Sequence, residues 1–158
     1  MRIGQGFDVH ALTPGDGLTI GGVFIDCGSS FIAHSDGDVL IHALCDALLG
    51  AMARGDIGQL FPDTSALHKD RDSREFLCEI KTLMDDDGYQ IVNADMTIIA
   101  QAPKMAPHIA EMCKNIAIDL AVELSCVNIK ATTTEKLGFC GRAEGIAASA
   151  CVLLEKKS

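Results

Sequence analysis

Residues 38–52 of the chain are D-V-L-I-H-A-L-C-D-A-L-L-G-A-M, and their apolar side chains recur every three or four residues. This spacing is typical of an amphipathic helix. Ser35 and Asp38 resemble a capping box at its start, and the glycines at 50 and 55 are expected to loosen its end. The apolar stripe consists of Leu40, Ala43, Leu44, Ala47, Leu48 and Ala51. The segment therefore predicts a helix with one face towards a core.

Strand and helix patterns alternate along the rest of the chain. The predicted elements are a β-hairpin around 18–25, a helix at 73–86 stopped by Gly88, a strand at 89–101, a helix introduced by Pro103 and Pro107, and strands at 127–133 and 145–154. This alternation predicts an α/β (α+β) domain with a mostly buried sheet. We expect the sheet to be mixed and to be covered by helices on one side. The last strand is apolar on both faces, which favours cover by helices or by a partner subunit. We expect residues 1–158 to form a single domain.

The composition is that of a globular protein, with 48% apolar residues among 158 and a formal charge of −9. This balance argues against a disordered chain. Nucleic acid is not an expected partner, because such binding needs many basic residues and aromatic rings, and the chain has no Trp and one Tyr. An acidic protein that binds a small anion needs metal cations to bridge the like charges.

The seven cysteines form no C-x-x-C pair and are odd in number. We interpret them mostly as small core residues in a reducing compartment rather than as a disulfide framework. The N-terminus has Gly and Asp where a signal peptide needs an apolar stretch, and no run of about 18 apolar residues could cross a membrane. The predicted location is the cytoplasm, although a mature plastid protein would share these features.

The first polar cluster is Asp8-Val9-His10, which we place at the end of the first strand. Residues two apart in a strand point to the same side, so this carboxylate and this imidazole converge. His42 on the predicted helix offers a third ligand, and an Asp with two His suits a zinc ion that keeps one tetrahedral position open. Each histidine taken alone is more often a structural residue than a ligand.

The helix also carries two carboxylates beside this histidine. Asp38, His42 and Asp46 are each four residues apart and therefore share one face, which is offset from the apolar stripe. Metal-bound imidazoles commonly donate their second nitrogen to a carboxylate. We therefore expect Asp38 or Asp46 to orient His42.

Two further segments have two interpretations each. Thr132-Thr133-Thr134-Glu135 follows a predicted strand, where hydroxyls and N–H groups could hold phosphate oxygens and Glu135 could bind Mg²⁺. Equally favoured is a Thr-x-x-Glu capping box that opens a short helix. The segments at 56–58 and 61–64 are ordinary loop sequences that could also contact sugar hydroxyls.

Six motifs occur in order along the chain, and together they carry a resemblance. They are G-F-D-V-H at 6–10, A-H-S-D-G-D at 33–38, G-D-I-G at 55–58, L-F-P-D-T at 60–64, A-Q-A-P-K-M at 100–105 and K-A-T-T-T-E-K-L-G-F at 130–139. The sequence closely resembles the 2-C-methyl-D-erythritol 2,4-cyclodiphosphate synthase family of the non-mevalonate isoprenoid pathway. The resemblance runs essentially from end to end.

The resemblance implies a site for each part of the substrate. The methylerythritol phosphate portion is expected at 34–35, the ribose at 56–58, a closing loop at 61–65, and the cytosine at 100–106 with 131–133. The implied substrate-binding residues are Asp8, His10, His34, Ser35, Asp56, Gly58, Phe61, Asp63, Ala100, Lys104, Met105, Ala106, Ala131, Thr132, Thr133, Glu135, Phe139 and Arg142.

The resemblance also implies cofactors and catalytic residues. Asp8, His10 and His42 are expected to bind Zn²⁺, and Glu135 to help hold a second divalent ion, Mg²⁺ or Mn²⁺, at the diphosphate. His34 and Thr133 are expected to stabilise the transition state.

The implied reaction converts 4-diphosphocytidyl-2-C-methyl-D-erythritol 2-phosphate to 2-C-methyl-D-erythritol 2,4-cyclodiphosphate and CMP. The 2-phosphate of the substrate attacks its own β-phosphorus, so the work of the protein is positioning and charge neutralisation. The family forms homotrimers, with the sheets around the threefold axis and active sites shared between subunits. A cavity near Phe139, Arg142 and Glu144 is expected to take an isoprenoid diphosphate.

Two other functions would use some of the same residues. A metal-dependent phosphohydrolase would have identical ligands but would let water attack the diphosphate. A noncatalytic trimeric carrier of isoprenoid diphosphates would use the region of Phe139 and Arg142 and would bind without turnover.

Overall fold

The computed structural model describes residues 1–33, 35–61 and 71–157. The predictions for His34 and for Asp63 of the 61–65 loop lie outside the described residues. The strands are β1 (Arg2–Pro14), β2 (Gly17–Ile20), β3 (Val23–Asp26), β4 (Ser29–Phe31), β5 (Tyr89–Ile99), β6 (Val127–Thr132) and β7 (Gly145–Lys156). The helices are α1 (Val39–Met52), α2 (Ile57–Leu60), α3 (Ser73–Asp86), α4 (Ile109–Leu120) and α5 (Gly138–Gly141), with a 3-10 turn at Leu124–Cys126.

Helix α1 lies at the centre of the core, and nearly all of its residues are buried. Its start differs from the prediction. Asp38 is the N-cap residue, and its carboxylate accepts a hydrogen bond from the N–H of Ile41 at 3.1 Å. The capping box that we predicted to begin at Ser35 is therefore wrong, because the first helical turn starts three residues later. Ala53, in a left-handed conformation, ends the helix.

Five strands form one mixed sheet in the order β4-β1-β7-β5-β6, and β2 with β3 forms the predicted hairpin. Strand β7 is antiparallel to both β1 and β5, while β5 and β6 are parallel. Strands β1, β5 and β6 therefore run in the same direction, and their carboxyl ends lie along one edge. The predicted mixed α/β fold is confirmed.

The helices cover one face of this sheet. On β1, Gly4 and Gly6 face α1 so closely that a Cβ atom would lie 1.9 Å from the carbonyl oxygen of Ala47 and 2.0 Å from that of Ala43. Helix α1 thus packs directly on the strand backbone. The residues that alternate with these glycines along β1 point to the opposite face, where Ile3 and Phe7 are 72% and 55% exposed. The single chain leaves this face uncovered, and we call its apolar part around Ile3, Phe7 and Val9 the apolar open face.

The cysteines correct one prediction. All seven are free, but only Cys45 and Cys140 are buried, while the others are half-buried or exposed. Cys27 and Cys113 are half-buried and pack against the core. The interpretation as core residues is therefore wrong only for Cys78, Cys126 and Cys151, which strand alternation and helix faces direct outwards. Among the described helices, none combines the length and the apolar character that a membrane span needs.

Candidate metal centre and active site

Asp8 and His10 lie on β1 and point to the same side, towards α1. We predicted that the first strand ends at His10, but β1 continues to Pro14. It does so because its pairing partner changes from β7 to β4 after Ala11. The pair therefore lies on a continuous strand held on its edges by neighbours. His42 projects from the first turns of α1 against the same point. The structure brings together the three predicted ligands.

Three side-chain atoms converge at this point. His10 Nε2 lies 3.0 Å from His42 Nδ1, and Asp8 Oδ2 lies 3.1 Å from each of these nitrogens. Four ligands around a tetrahedral metal with bonds of about 2.0–2.1 Å are about 3.3 Å apart, so the observed triangle needs only a small expansion. Among the described residues, these three side chains form a group whose ligand atoms lie close enough together to hold one metal ion. The donor set fits a divalent metal ion with one position open to a further ligand.

The electrostatics of the triad keep its carboxylate ionised. Burial alone would raise the pKa of Asp8, but the hydrogen bonds to His10 and His42 outweigh it and hold that pKa well below its usual range. For His42 burial acts to lower the pKa, and the hydrogen bond and charge of Asp8 overcome it, so that the pKa is raised. A carboxylate thus stays ionised in a partly buried site, as a metal ligand must be.

The second nitrogen of His42 has a different partner from the one predicted. Its Nε2 lies 2.8 Å from Ser73 Oγ at the start of α3 and 3.4 Å from Ser35 Oγ. Asp46 instead accepts a hydrogen bond from the N–H of Ile57 at 2.8 Å, which fixes the start of α2. The prediction that Asp38 or Asp46 orients the imidazole is wrong.

Asp38 is fully buried and serves the fold. Its carboxylate accepts hydrogen bonds from the N–H groups of Gly21 at 2.9 Å and Gly22 at 2.7 Å, besides that of Ile41. It therefore ties the β2–β3 turn to the start of α1. Burial raises its pKa to about 6, against the lowering effect of these hydrogen bonds.

A cavity of about 320 Å³ opens beside the metal triad. Its described lining residues are Asp8, His10, Ile32, Ala33, Ser35, His42, Ile57, Gly58, Phe61 and Phe76. The predicted site residues Ser35, Gly58 and Phe61 thus lie around the same space as the triad. Asp56 caps the neighbouring helix α2, where its carboxylate accepts a hydrogen bond from the N–H of Gln59 at 2.9 Å.

A second cavity, of about 230 Å³, lies at the carboxyl ends of β5 and β6. It is lined by Ala100, Gln101, Pro103, Lys104, Met105, Ala106, Ala131, Thr132 and Thr133. The backbone joins the two sides, because the N–H of Ala100 donates to the carbonyl oxygen of Thr132 at 3.0 Å. Of the residues predicted for the cytosine pocket, all but Ala102 therefore line this one cavity.

The segment after β6 is a turn and not a helix. Thr133 Oγ1 donates to the Glu135 carboxylate at 2.8 Å and accepts from the Glu135 N–H at 3.2 Å. Glu135 and Lys136 both have positive φ angles, and α5 begins only after Leu137. The capping-box interpretation of this segment is wrong. The Glu135 carboxylate is exposed next to the second cavity.

The residues predicted for the isoprenoid cavity lie around α5. Phe139 is 41% exposed, and Arg142 makes a bidentate ion pair with Glu144 at 2.8 and 3.0 Å. The hydrogen bond from this guanidinium lowers the pKa of Glu144.

The two cavities share no lining residue among those described. Strands β7 and β5 separate β1 from β6, and three strand spacings amount to about 14 Å. Both cavities lie at the edge formed by the carboxyl ends of β1, β5 and β6. One chain therefore presents two separate cavities at this edge.

Sequence reasoning did not identify Ser73. Asp36 belongs to the A-H-S-D-G-D motif, but nothing in the spacing connects it or His42 to a serine more than thirty residues away. A serine at a helix start is an ordinary residue, so its sequence context carries no signal of this contact.

Comparison with known proteins agrees with this geometry. A 2-C-methyl-D-erythritol 2,4-cyclodiphosphate synthase from Thioalkalivibrio sulfidiphilus (strain HL-EbGR7) is 61% identical over 155 residues, which cover 98% of this chain and 97% of that protein. The structure of IspF from Plasmodium falciparum, a CDP complex, has 38% sequence identity and a TM-score of 0.88. The match covers 99% of this chain and 97% of that chain.

The bifunctional IspDF from Campylobacter jejuni has a TM-score of 0.94 and 43% identity, over 98% of this chain and 42% of that chain. The YgbB family model matches residues 1–155. With its Asp8, His10 and His42 triad and its two cavities at one sheet edge, the chain belongs to the YgbB family.

Proposed function

We propose that the chain converts 4-diphosphocytidyl-2-C-methyl-D-erythritol 2-phosphate to 2-C-methyl-D-erythritol 2,4-cyclodiphosphate, with release of CMP. The observation that carries this proposal is the Asp8, His10 and His42 triad, which opens on a cavity in a chain 61% identical to a synthase of that name. The reaction is intramolecular attack of the 2-phosphate on the β-phosphorus. The bond from the β-phosphorus to the CMP phosphate breaks, and CMP leaves.

The chain's own residues have mainly binding and positioning tasks. An anionic phosphate is already a nucleophile, so the site needs no activated Ser or Cys. We assign the residues of the first cavity, with His34, to the methylerythritol phosphates and the ribose, and those of the second cavity to cytosine. Thr133 and His34 are assigned to the transition state. Holding both phosphates in line supplies most of the rate enhancement.

We assign Zn²⁺ to the triad, since one carboxylate and two imidazoles are a zinc donor set. Bound zinc would supply Lewis-acid polarisation of a diphosphate oxygen. Glu135 is assigned to a second ion, Mg²⁺ or Mn²⁺, because its carboxylate is exposed beside the second cavity. These cations let a chain of net charge −9 bind a polyanionic substrate.

We further propose a homotrimer in which two neighbouring chains complete each active site. In this proposal the two cavities of one chain, about 14 Å apart across the sheet, are half-sites of two different active sites. The apolar open face around Ile3 and Phe7 is suited to a subunit contact. The internal cavity near Phe139 and Arg142 is proposed to take an isoprenoid diphosphate, because an exposed ring and a guanidinium suit its two ends. Free cysteines favour the cytoplasm.

Phosphorus NMR of a turnover mixture tests the reaction. With Zn²⁺ and Mg²⁺ we expect cyclic diphosphate and CMP in equal amounts. His42→Ala should lose nearly all turnover, about a thousandfold or more, because a ligand of the triad is absent. Phe24→Ala, an exposed change on the hairpin, serves as the control and should keep full activity.

Open-chain monophosphates with CMP would identify a phosphohydrolase instead. Binding of an isoprenoid diphosphate without any turnover of the cytidylyl substrate would identify a carrier. Full activity of metal-stripped His42→Ala protein would overturn the assignment of the triad.

A further inference from the structure

We propose that Ser73 and Asp36 are positioning residues for the metal centre, and that they hold His42 with Nδ1 free to bind the ion. The proposal rests on the proposed function in one respect, namely that the triad binds a divalent metal. It adds a Ser73–Asp36 clamp, defined as these two side chains and their contacts. Neither residue contacts the point where the three ligand atoms converge.

The clamp is a continuous chain of contacts behind the imidazole. Ser73 Oγ lies 2.8 Å from His42 Nε2, on the side of the ring opposite to Nδ1. The same hydroxyl donates to the Asp36 carboxylate. Asp36 also accepts hydrogen bonds from the backbone N–H groups of Ser73 and of Asp38, both at 3.2 Å. The Asp36 carboxylate is thus fixed from two elements, the segment before α1 and the first turn of α3.

The direction of the hydrogen bonds determines the tautomer. A serine hydroxyl has one proton, and in the clamp this proton is donated to Asp36. Ser73 Oγ must then accept the second bond, so the proton between Ser73 and His42 belongs to Nε2. When a metal ion displaces the Nδ1 proton that bonds to Asp8, the ring keeps its proton on Nε2 and presents the lone pair of Nδ1 to the ion. That nitrogen is the atom 3.0 Å from His10 Nε2 and 3.1 Å from Asp8 Oδ2.

Burial makes the clamp rigid. Ser73 is 0% exposed, and the His42 side chain is 13% exposed. Water therefore has little access to replace the Ser73 hydroxyl, and its removal would leave Nε2–H without a strong acceptor. The nearest alternative is Ser35 Oγ at 3.4 Å, which already accepts from the N–H of Gly37.

Helix α3 thus contributes to the metal centre without supplying a ligand. Groups that hydrogen-bond to a ligating histidine fix its ring and raise its basicity, and their loss costs roughly 10–100-fold in metal affinity. The N–H of Asp36 also donates to the carbonyl oxygen of Arg71, so the clamp joins the segment before α1 to the segment before α3.

The test is zinc affinity, measured by competition with a chromogenic chelator. Ser73→Ala should bind Zn²⁺ roughly 10–100-fold more weakly than the wild type, and Asp36→Ala at least as weakly. Asp72→Ala is the matched control, because Asp72 caps the same helix start through the N–H of Arg74 but does not contact His42. It should perturb α3 and leave zinc affinity within about twofold of the wild-type value.

A second measurement separates the clamp from general destabilisation. In zinc-loaded protein with ¹⁵N-labelled histidine, we expect a slowly exchanging Nε2–H resonance for His42. Ser73→Ala should lose its protection from exchange, whereas Asp72→Ala should keep it.

The outcomes distinguish the two proposals. Wild-type affinity in Ser73→Ala, or absence of a protected Nε2–H in the zinc-loaded wild type, would overturn the clamp while the metal centre stands. Failure of the wild type to bind zinc any better than His42→Ala would overturn the metal centre itself.

Discussion

At the scale of single residues, Asp38 shows how strongly a position can be determined by contacts that its sequence neighbours do not suggest. Its spacing to His42 predicted a partner for the imidazole, yet its carboxylate accepts three backbone N–H groups. The helical period correctly placed it on the face of His42. It could not indicate that the backbone N–H groups of Gly21 and Gly22, distant in sequence, would donate hydrogen bonds to this carboxylate.

Asp38→Asn should change how stability depends on pH. The pKa of Asp38 is about 6 in the folded protein and 3.8 in an unfolded chain, so the group's contribution is complete below pH 4 and is lost as pH rises through 6. As pH rises from 4 to 7, the wild type should therefore lose up to about 3 kcal/mol of unfolding free energy relative to Asp38→Asn. Urea unfolding of chelator-treated protein measures this, and a pH-independent difference would contradict it.

At the scale of elements, periodicity located the helices and strands well. Helices α1 and α3 and strand β5 lie within about two residues of their predicted bounds. Strand β1 was predicted too short, because its exchange of partners from β7 to β4 depends on a sheet order that local pattern does not contain. The turn at 133–137 was ambiguous for a similar reason, since a Thr-x-x-Glu pattern does not reveal positive φ angles.

One ion pair joins α3 to α4 beside their apolar contacts. Arg74 makes two hydrogen bonds of 2.7 Å to Asp119, whose side chain is only 8% exposed. Asp119→Ala should reduce the free energy of unfolding by about 2 kcal/mol, because it leaves a half-buried guanidinium without its partner. Asp87→Ala, which breaks the equally bidentate but solvated Arg54–Asp87 pair, is the control and should cost clearly less. Equal losses in thermal unfolding would show that burial is not the cause.

At the scale of the whole molecule, the sequence motifs predicted candidate site residues but not the distance between the two groups of them in one chain. That 8–10 and 131–133 lie three strands apart follows from the order of the sheet, which no local spacing encodes. The sequence also did not predict the apolar open face. Strand alternation shows that a strand has two faces, but not which of them the helices cover. The proposed trimer uses both features.

Phe7→Asp should disrupt this assembly. A carboxylate in the centre of an apolar subunit contact is costly to bury, so the variant should be largely monomeric and nearly inactive, with its metal triad intact. Phe24→Asp is the control, since Phe24 is 63% exposed but lies on the β2–β3 hairpin. Light scattering and zinc titration check both variants. A Phe7→Asp trimer with full activity would exclude this face as the interface.

The glycines of β1 have a consequence for which ions the protein admits. Gly6 lies two residues before Asp8, and the Ala43 carbonyl that it touches follows His42 directly. Backbone contact between strand and helix thus prevents the ligands from moving closer or rotating past each other, while the ladder to β7 keeps β1 from retreating. Calcium, with six to eight oxygens at about 2.3–2.6 Å, demands a roomier cage. We therefore expect the close backbone packing that Gly4 and Gly6 permit to favour a small cation over calcium at the triad.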